Sequence, residues 1–257
     1  KRIRRRVFEN LVDLGIQTRV TGVELTNAGC DWHGLNSSGE VDEWIEARSG
    51  VMSIHETFRG YVMMKPDRMI VGVSGASGII YGVRALEALR ELGIESHMVA
   101  SKAAEMTLRY ETELSIAQFR AGADHVYKMP DVGAAIASGS FQTRGMLIAP
   151  CSVRTMSEIA SGVTSSLLTR AADVVLKERR LLVLMVRETP FHLGHIRTME
   201  TLTEMGAVIC PPLPAFYAKP VTIDDLVNQS VGRALDLFGL DWSSTRRWGE
   251  DLEGGRR

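Results

Sequence analysis

Cysteine is scarce in this chain. Only Cys30, Cys151 and Cys210 occur among 257 residues. They are far apart, odd in number and form no C-x-x-C, which excludes a disulfide framework and a cysteine zinc cluster and leaves a reducing cytoplasmic setting as the default. Long apolar runs are lacking too. The longest strong one, Leu181 to Val186, suits a buried strand and is far short of a membrane span. No sign of charge dominates: 30 Lys+Arg stand against 31 Asp+Glu, a net charge of -1, so nucleic acid and anionic membrane have no electrostatic footprint here. The basic opening KRIRRRV has the start of a transit peptide, but Glu9, Asp13 and Glu24 follow at once, and transit peptides are poor in acid.

What is present centres on Arg68 to Gly78, RMIVGVSGASG. An apolar β-type segment breaks into Gly72, Ser74, Gly75, Ala76, Ser77 and Gly78, and then into IIYGVRALEALREL, whose apolar residues recur at helical spacing. Strand, small-residue turn and helix leave backbone N–H groups and two hydroxyls at a helix N-terminus, where an anion is favoured. The stretch is neither G-x-G-x-x-G nor a G-K-[ST] loop. Alone such a stretch is more often an ordinary tight βα turn than a phosphate or flavin site.

From Arg68 onward β and α signals alternate. Strands are expected at 69–74, 94–100, 124–128, 145–150, 181–187 and 207–211, and helices at 79–92, 101–109, 152–160, 167–179, 192–205 and 222–238. Continuously apolar strands such as MLIAP and LLVLMV belong in a parallel sheet covered on both faces. The expected fold is α/β: a doubly wound parallel sheet, a Rossmann/flavodoxin-like three-layer sandwich, with ligands at the C-terminal strand edge. Residues 1–67 form a separate N-terminal extension of open function and 68–257 the main domain. In the extension, RVFENLVDLGI and DEWIEARSG have the pattern of short helices and TRVTGVEL that of a strand. Cys30, Asp31 and His33 are a weak metal signal, and Met63, Met64 and Met69 are each a possible internal start.

The expected strand ends finish in SGAS, Ser101-Lys102, Pro150-Cys151-Ser152 and Arg187-Glu188-Thr189-Pro190, so these residues converge on one crevice. Ser74, Ser77, Ser101 and Ser152 supply hydroxyls for a phosphate, and Arg187 and Glu188 a cation and a carboxylate. In LLTRAADVVLKERR, Arg170 and Lys177 lie two turns apart on one helix face. That is either a solvated ion-paired face or a pair of cations for an anionic group. The stiff loop PPLPAFYAKP presents Phe216 and Tyr217 as pocket wall or as plain packing. His192 and His195 lack a third metal ligand and fit helix-turn and packing roles better. Cys151 precedes a helix, where a thiolate is favoured, yet has no evident His base; a small residue lining a cofactor site is the better reading.

Together these pieces resemble the UbiX/Pad1-type flavin prenyltransferases. The resemblance rests on GVSGASGIIYGVR, SKAA, ETE at 111–113, SGSFQT, APCSVRT, LLTRAADVVLKERRLLVL, RETPFHLGHIRTM, PPLPAFYAKP, TIDDLVNQSVGRALD and RRWGE, in order over about 68–250. It implies that reduced FMN is bound and receives a dimethylallyl group from dimethylallyl phosphate at N5 and C6, closing a fourth ring. Prenylated FMN then serves a UbiD-type decarboxylase, in ubiquinone synthesis or phenolic-acid breakdown, with no metal needed.

The resemblance also implies roles. Arg170, Lys177 and Arg187 surround the leaving phosphate, with Tyr217, Arg233 and Ser77 beside it. Glu111 is the candidate for proton transfer, Glu188 a second carboxylate near the phosphate, and Trp248 an aromatic cover. Ser74, Gly75, Ala76, Ser101, Ser152, Thr155 and Arg187 contact FMN, with its phosphate nearest Ser101. It further implies a homo-oligomer, a dodecamer, with sites formed between subunits. Two other readings stand: an FMN-dependent decarboxylase of the phosphopantothenoylcysteine or peptidyl-cysteine type, which typically has a His base near the first helix where this chain has Tyr81, and an accessory flavin-binding subunit of a decarboxylase.

Overall fold

The computed structural model describes residues 67–249, together with the backbone of four short N-terminal strands. Two compact units divide at Lys65 and Pro66. In the first, Arg19–Val20 pairs antiparallel with Val23–Glu24, inside the TRVTGVEL segment expected as one strand. Trp44–Ala47 pairs antiparallel with Gly50–Ser53 in the register Trp44↔Ser53 to Ala47↔Gly50. This corrects the helix expected over DEWIEARSG: its described residues belong to two strands paired antiparallel. The expected helix in RVFENLVDLGI and the group Cys30, Asp31 and His33 lie outside the described residues.

The second unit holds a six-stranded parallel sheet. Its strands are β1 (Arg68–Val73), β2 (Glu95–Ala100), β3 (His125–Tyr127), β4 (Gly145–Cys151), β5 (Leu181–Val186) and β6 (Val208–Ile209). Its helices are α1 (Ile79–Glu91), α2 (Lys102–Glu111), α3 (Ile116–Arg120), α4 (Val153–Ala160), α5 (Leu167–Lys177), α6 (Leu193–Glu204) and α7 (Ile223–Asp236). The strand order is β6-β5-β4-β1-β2-β3, with every pair parallel. The connection reverses direction between β1 and β4, so the crevice lies beyond the C-terminal ends of those two strands. The unforeseen element is α3. It begins at Ser115, which forms a reciprocal capping box with Gln118, a local signal in a segment too short for periodicity.

Alternation along each strand builds two cores. Met69, Val71 and Val73 of β1, Leu147 and Ala149 of β4, and Val183 and Met185 of β5 face one layer, packed with Leu86 and Leu89 of α1 and Val231 and Leu235 of α7. Ile70, Met146, Ile148, Leu182, Leu184 and Val186 face the other, packed with Met156 of α4, Leu168 and Val175 of α5 and Leu202 of α6. Burial on both faces explains the unbroken apolar runs. Each fully buried Leu or Ile contributes about 1.5–3 kcal/mol. Hydroxyl caps start the helices: the side chains of Ser101, Ser152, Ser166 and Thr222 accept from backbone N–H groups of α2, α4, α5 and α7.

Candidate active site

The site begins where β1 ends. Ser74 is 1% exposed. Its hydroxyl donates to the Pro150 carbonyl at 3.0 Å and accepts from the Ser152 N–H at 2.8 Å. Ser74 therefore joins the ends of β1 and β4 across the switch point. The hydroxyl expected to face a phosphate spends its proton on Pro150 and ties two strand ends together. Gly75 follows because nothing larger fits: a Cβ there would lie 2.3 Å from the Ala103 Cβ at the start of α2. Gly78 caps α1 in the left-handed region, φ 95°. Ala76 is buried, while Gly75 and Ser77 are exposed toward the crevice.

An anion does occupy the N-terminus of α1, and the protein supplies it. Glu111, at the last position of α2, accepts from the N–H groups of Gly78 at 2.8 Å and Ile79 at 3.0 Å, and its carboxylate also takes a hydrogen bond from Ser77. Partial burial pulls its pKa upward; the hydrogen bonds from Ser77, Ile79 and Gly78 and the charge of Arg187 outweigh that and hold it below the usual glutamate value. Glu111 is thus ionised at neutral pH and fixed beside the glycine-rich turn.

Arg187 follows β5, and its N–H donates to the Cys151 carbonyl at 3.0 Å. Its charge reaches both Glu111 and the Tyr81 phenol, whose pKa burial raises against the opposing pull of Arg187. Ser77, Glu111 and Arg187 are therefore brought together, as expected, and Tyr81 joins them. Residue types alone gave Tyr81 no such role; its signal is its place one turn into α1, where a Cβ on Gly78 would lie 2.9 Å from its ring. Glu188 stands at the same strand end, its carboxylate accepting from the Thr189 N–H at 3.0 Å.

Two more helix N-termini open on this edge. Ser101 Oγ accepts from the Ala104 N–H at 3.0 Å, leaving its own proton for an oxygen ligand. Ser152 Oγ accepts from the Thr155 N–H at 3.3 Å and lies 3.2 Å from the Thr155 hydroxyl. Cys151 does not line the crevice. It is wholly buried in the second core, and burial pushes its thiol up to about 12, so it is neither a nucleophile nor a cofactor contact. His192 caps α6, its Nδ1 accepting from the N–H of Gly194 at 3.0 Å, and it stacks on His195 at 3.6 Å, which is the helix-turn and packing role expected.

The remaining residues stand apart. Tyr217 meets Trp248 edge to face at 5.9 Å, and its hydroxyl lies 3.4 Å from Gln229 Nε2. Both rings are substantially exposed, Trp248 at 61%. Arg233, in the last turn of α7, pairs with Asp236. Arg170, in the first turn of α5, pairs with Asp173 at 2.7 Å. Lys177 closes α5, pairs with Glu178 and lies beside Gly139, whose carbonyl Arg180 binds in the approach to β4. This places Lys177 at the N-terminal edge of the sheet, across a six-residue strand of roughly 20 Å from the glycine-rich turn. One helix face carries both cations, as expected, but it delivers them to different edges within one chain.

The chain matches the Flavoprotein family model over residues 58–235. It is 56% identical over 181 residues to the flavin prenyltransferase UbiX of Thauera aromatica, covering 70% of this chain and 93% of that protein. It superposes on AnUbiX (PadA1), solved in complex with FMN and dimethylallyl pyrophosphate, with a TM-score of 0.71 and 49% identity over 72% of this chain and 98% of that one. A dodecameric FMN-dependent UbiX-like decarboxylase from Escherichia coli O157:H7 superposes with a TM-score of 0.69 and 47% identity over 70% of this chain and 98% of that one. With a parallel doubly wound sheet, a flavoprotein-type switch point and this level of identity, the chain belongs to the UbiX flavin prenyltransferase family.

Proposed function

We propose that this chain joins a dimethylallyl group from dimethylallyl phosphate to N5 and C6 of reduced FMN, and that the prenylated FMN passes to a UbiD-type decarboxylase. The observation that carries the reading is the ionised Glu111, held by Gly78, Ile79 and Ser77 within the field of Arg187 at the β1/β4 switch point. A base is fixed beside a flavin-type turn, with a cation next to it. The residues fit FMN: Gly75 leaves the turn flat against α2, and the Ser101 hydroxyl caps a helix N-terminus where a phosphate is favoured.

Reduced FMN, when bound, supplies the nucleophilic N5 and C6. Ser74 sets the two strand ends, and the Gly75–Ser77 backbone, Ala76, Ser101, Ser152 and Thr155 hold the flavin. Glu111 accepts the proton that must leave C6. Arg187, with Arg170, Lys177 and Arg233, stabilises the charge gathering on the departing phosphate, work that a divalent metal does in many phosphate chemistries. Glu188 and Ser77 orient that phosphate, with the Tyr217 hydroxyl as a further contact. Trp248 covers the allyl group and keeps water away. The separation of Lys177 from the turn supports a site completed between copies of this chain, in a homo-oligomer such as a dodecamer. The fold has no helix long and apolar enough to cross a membrane among the described residues, and a cytoplasmic enzyme without nucleic-acid partners fits the charge balance. Residues 1–67 form an N-terminal extension whose function is open.

The test is anaerobic incubation of the assembled protein with reduced FMN and dimethylallyl phosphate, in parallel with the pyrophosphate, followed by mass spectrometry of the released flavin. A gain of one C5 unit with the monophosphate is the expected result. Bound but unmodified FMN with both donors overturns the reading in favour of a decarboxylase or a flavin carrier.

A further inference from the structure

At the start of β2, away from the crevice, three nitrogen and oxygen donors converge. Glu95 Oε1 lies 2.9 Å from His97 Nε2 and 3.2 Å from His125 Nε2, and the three ligand atoms all fall within 4.8 Å of one another. We propose that Glu95, His97 and His125 form a zinc site that clips the edge strand β3 to β2.

Sheet geometry makes the cluster. Residues two apart on a strand share a face, so Glu95 and His97 point the same way, and the parallel register sets His97 beside His125. The two imidazoles stack at 4.6 Å with 15° between their planes, and both Nε2 atoms lie within 3.2 Å of one carboxylate oxygen. Zinc takes imidazole nitrogen and carboxylate oxygen at about 2.0–2.2 Å in a tetrahedron, so its donors stand roughly 3.3 Å apart. The Glu95–His97 and Glu95–His125 separations already approach that value. The third separation lies within 4.8 Å, and His125, with 52% of its side chain exposed, has room to turn out of the stack so that its ring plane, like that of His97, contains the metal. Two histidines, one carboxylate and an open fourth position for water is a donor set zinc accepts.

The outer contacts also match. His97 Nδ1 lies 2.9 Å from the Tyr127 hydroxyl. A phenol both donates and accepts. When Nε2 gives up its proton to face a metal, the ring's single proton sits on Nδ1 and donates to the Tyr127 oxygen, the arrangement that fixes tautomer and ring orientation at histidine metal ligands. Arg68 Nε reaches both Glu95 oxygens at 3.2 Å and is itself held over the Phe141 ring at 4.7 Å. A carboxylate has about four acceptor positions, so Oε2 keeps Arg68 while Oε1 turns to the metal. The two histidines sit 28 residues apart on neighbouring strands, a spacing no sequence motif marks.

The experiment uses the full chain without a histidine tag, stripped by a chelator and titrated with zinc against a chromophoric chelator. One zinc per chain is expected. His125→Ala, at a half-exposed position, should weaken binding at least tenfold and abolish the rise in thermal midpoint on adding zinc. Tyr127→Phe, which touches no metal, should weaken it about 10–100-fold. His195→Ala and His33→Ala should leave it unchanged. Failure to take up zinc overturns the proposal. So does equal binding by His125→Ala, insensitivity to Tyr127→Phe, or loss with His195→Ala or His33→Ala instead.

Discussion

The two ends of the candidate site are built differently. Around the glycine-rich turn the polar groups are knitted together within the chain: Ser74 binds Pro150 and Ser152, and Glu111 binds Gly78, Ile79 and Ser77. The donor-side residues are loose by comparison. Tyr217 and Trp248 meet edge to face and stay exposed, and among the described residues Lys177 pairs with its neighbour Glu178 at the far sheet edge. A pre-organised half costs little to bind a flat ligand, whereas a half made of exposed aromatics and a distant lysine needs something else to complete it. The proposal of a flavin side within one chain and a donor side completed between copies rests on this contrast.

The largest effect should come from the knitted half. Glu111→Gln keeps an oxygen to accept from Gly78 and Ile79, so α1 and flavin binding should survive within a few-fold. The variant cannot take a proton at neutral pH, so formation of prenylated flavin should fall by roughly 10²–10⁴-fold, the range of a lost general base. Mass spectrometry of product against flavin titration separates the two. Product at the wild-type rate would reduce Glu111 to a helix cap.

Lys177→Ala sharpens the other half. Loss of one charge-assisted contact to the phosphate is worth about 1.5–3 kcal/mol, so kcat/KM for the allylic donor should drop roughly 10–100-fold with flavin affinity unchanged. Co-expressing Lys177→Ala with Glu111→Gln then tests where the lysine acts. If a site takes these residues from different copies, roughly a quarter of the mixed sites regain both and activity returns. No recovery would place both residues in one chain and break the comparison.

The frame of the knitted half, strand, turn and helix, was legible in the sequence because its logic is local. RMIVGVSGASG announces strand, turn and helix, and the apolar runs announce a sheet buried on both faces. Element bounds agree within a few residues, for example β4 at 145–151 against an expected 145–150. What was not legible came from contacts between distant segments. Nothing in GASG says that Glu111, thirty-three residues beyond Gly78, will take the N–H groups that seemed reserved for a ligand. Nothing in APCS says that Ser74 will spend its hydroxyl on Pro150, or that Cys151 will turn into the core. The seven-residue spacing of Arg170 and Lys177 gave a shared helix face, but a helix of eleven residues carries them toward different sheet edges of one chain, and spacing alone does not show which copy's site they meet. DEWIEARSG failed for a related reason, since a short amphipathic run reads as helix until a partner strand is found.

A smaller effect tests the stitch itself. Ser74→Ala removes a hydroxyl buried between β1 and β4 and leaves the Ser152 N–H without its acceptor. Stability should fall by about 1–3 kcal/mol, read as a lower denaturation midpoint at matched protein concentration. Flavin affinity should weaken because the strand ends shift. Unchanged stability with lost flavin binding would instead make Ser74 a direct ligand contact.

The smallest expected effect reports the charge of Glu111 in the resting protein. Its folded-state pKa is held down, so the stabilisation it lends is fully present above the usual glutamate range and fades as pH falls through the lowered value. An anion at a helix N-terminus is worth about 0.3–1 kcal/mol, with salt screening reducing it. In a unit this size that is a shift of roughly 1–3 °C. The flavin-free wild type should therefore melt slightly above Glu111→Gln at neutral pH and low salt, and the gap should close both in acid and in high salt. A gap that persisted in acid would mean that the glutamine disturbs packing rather than charge. The activity lost in that variant could then no longer be credited to the missing base.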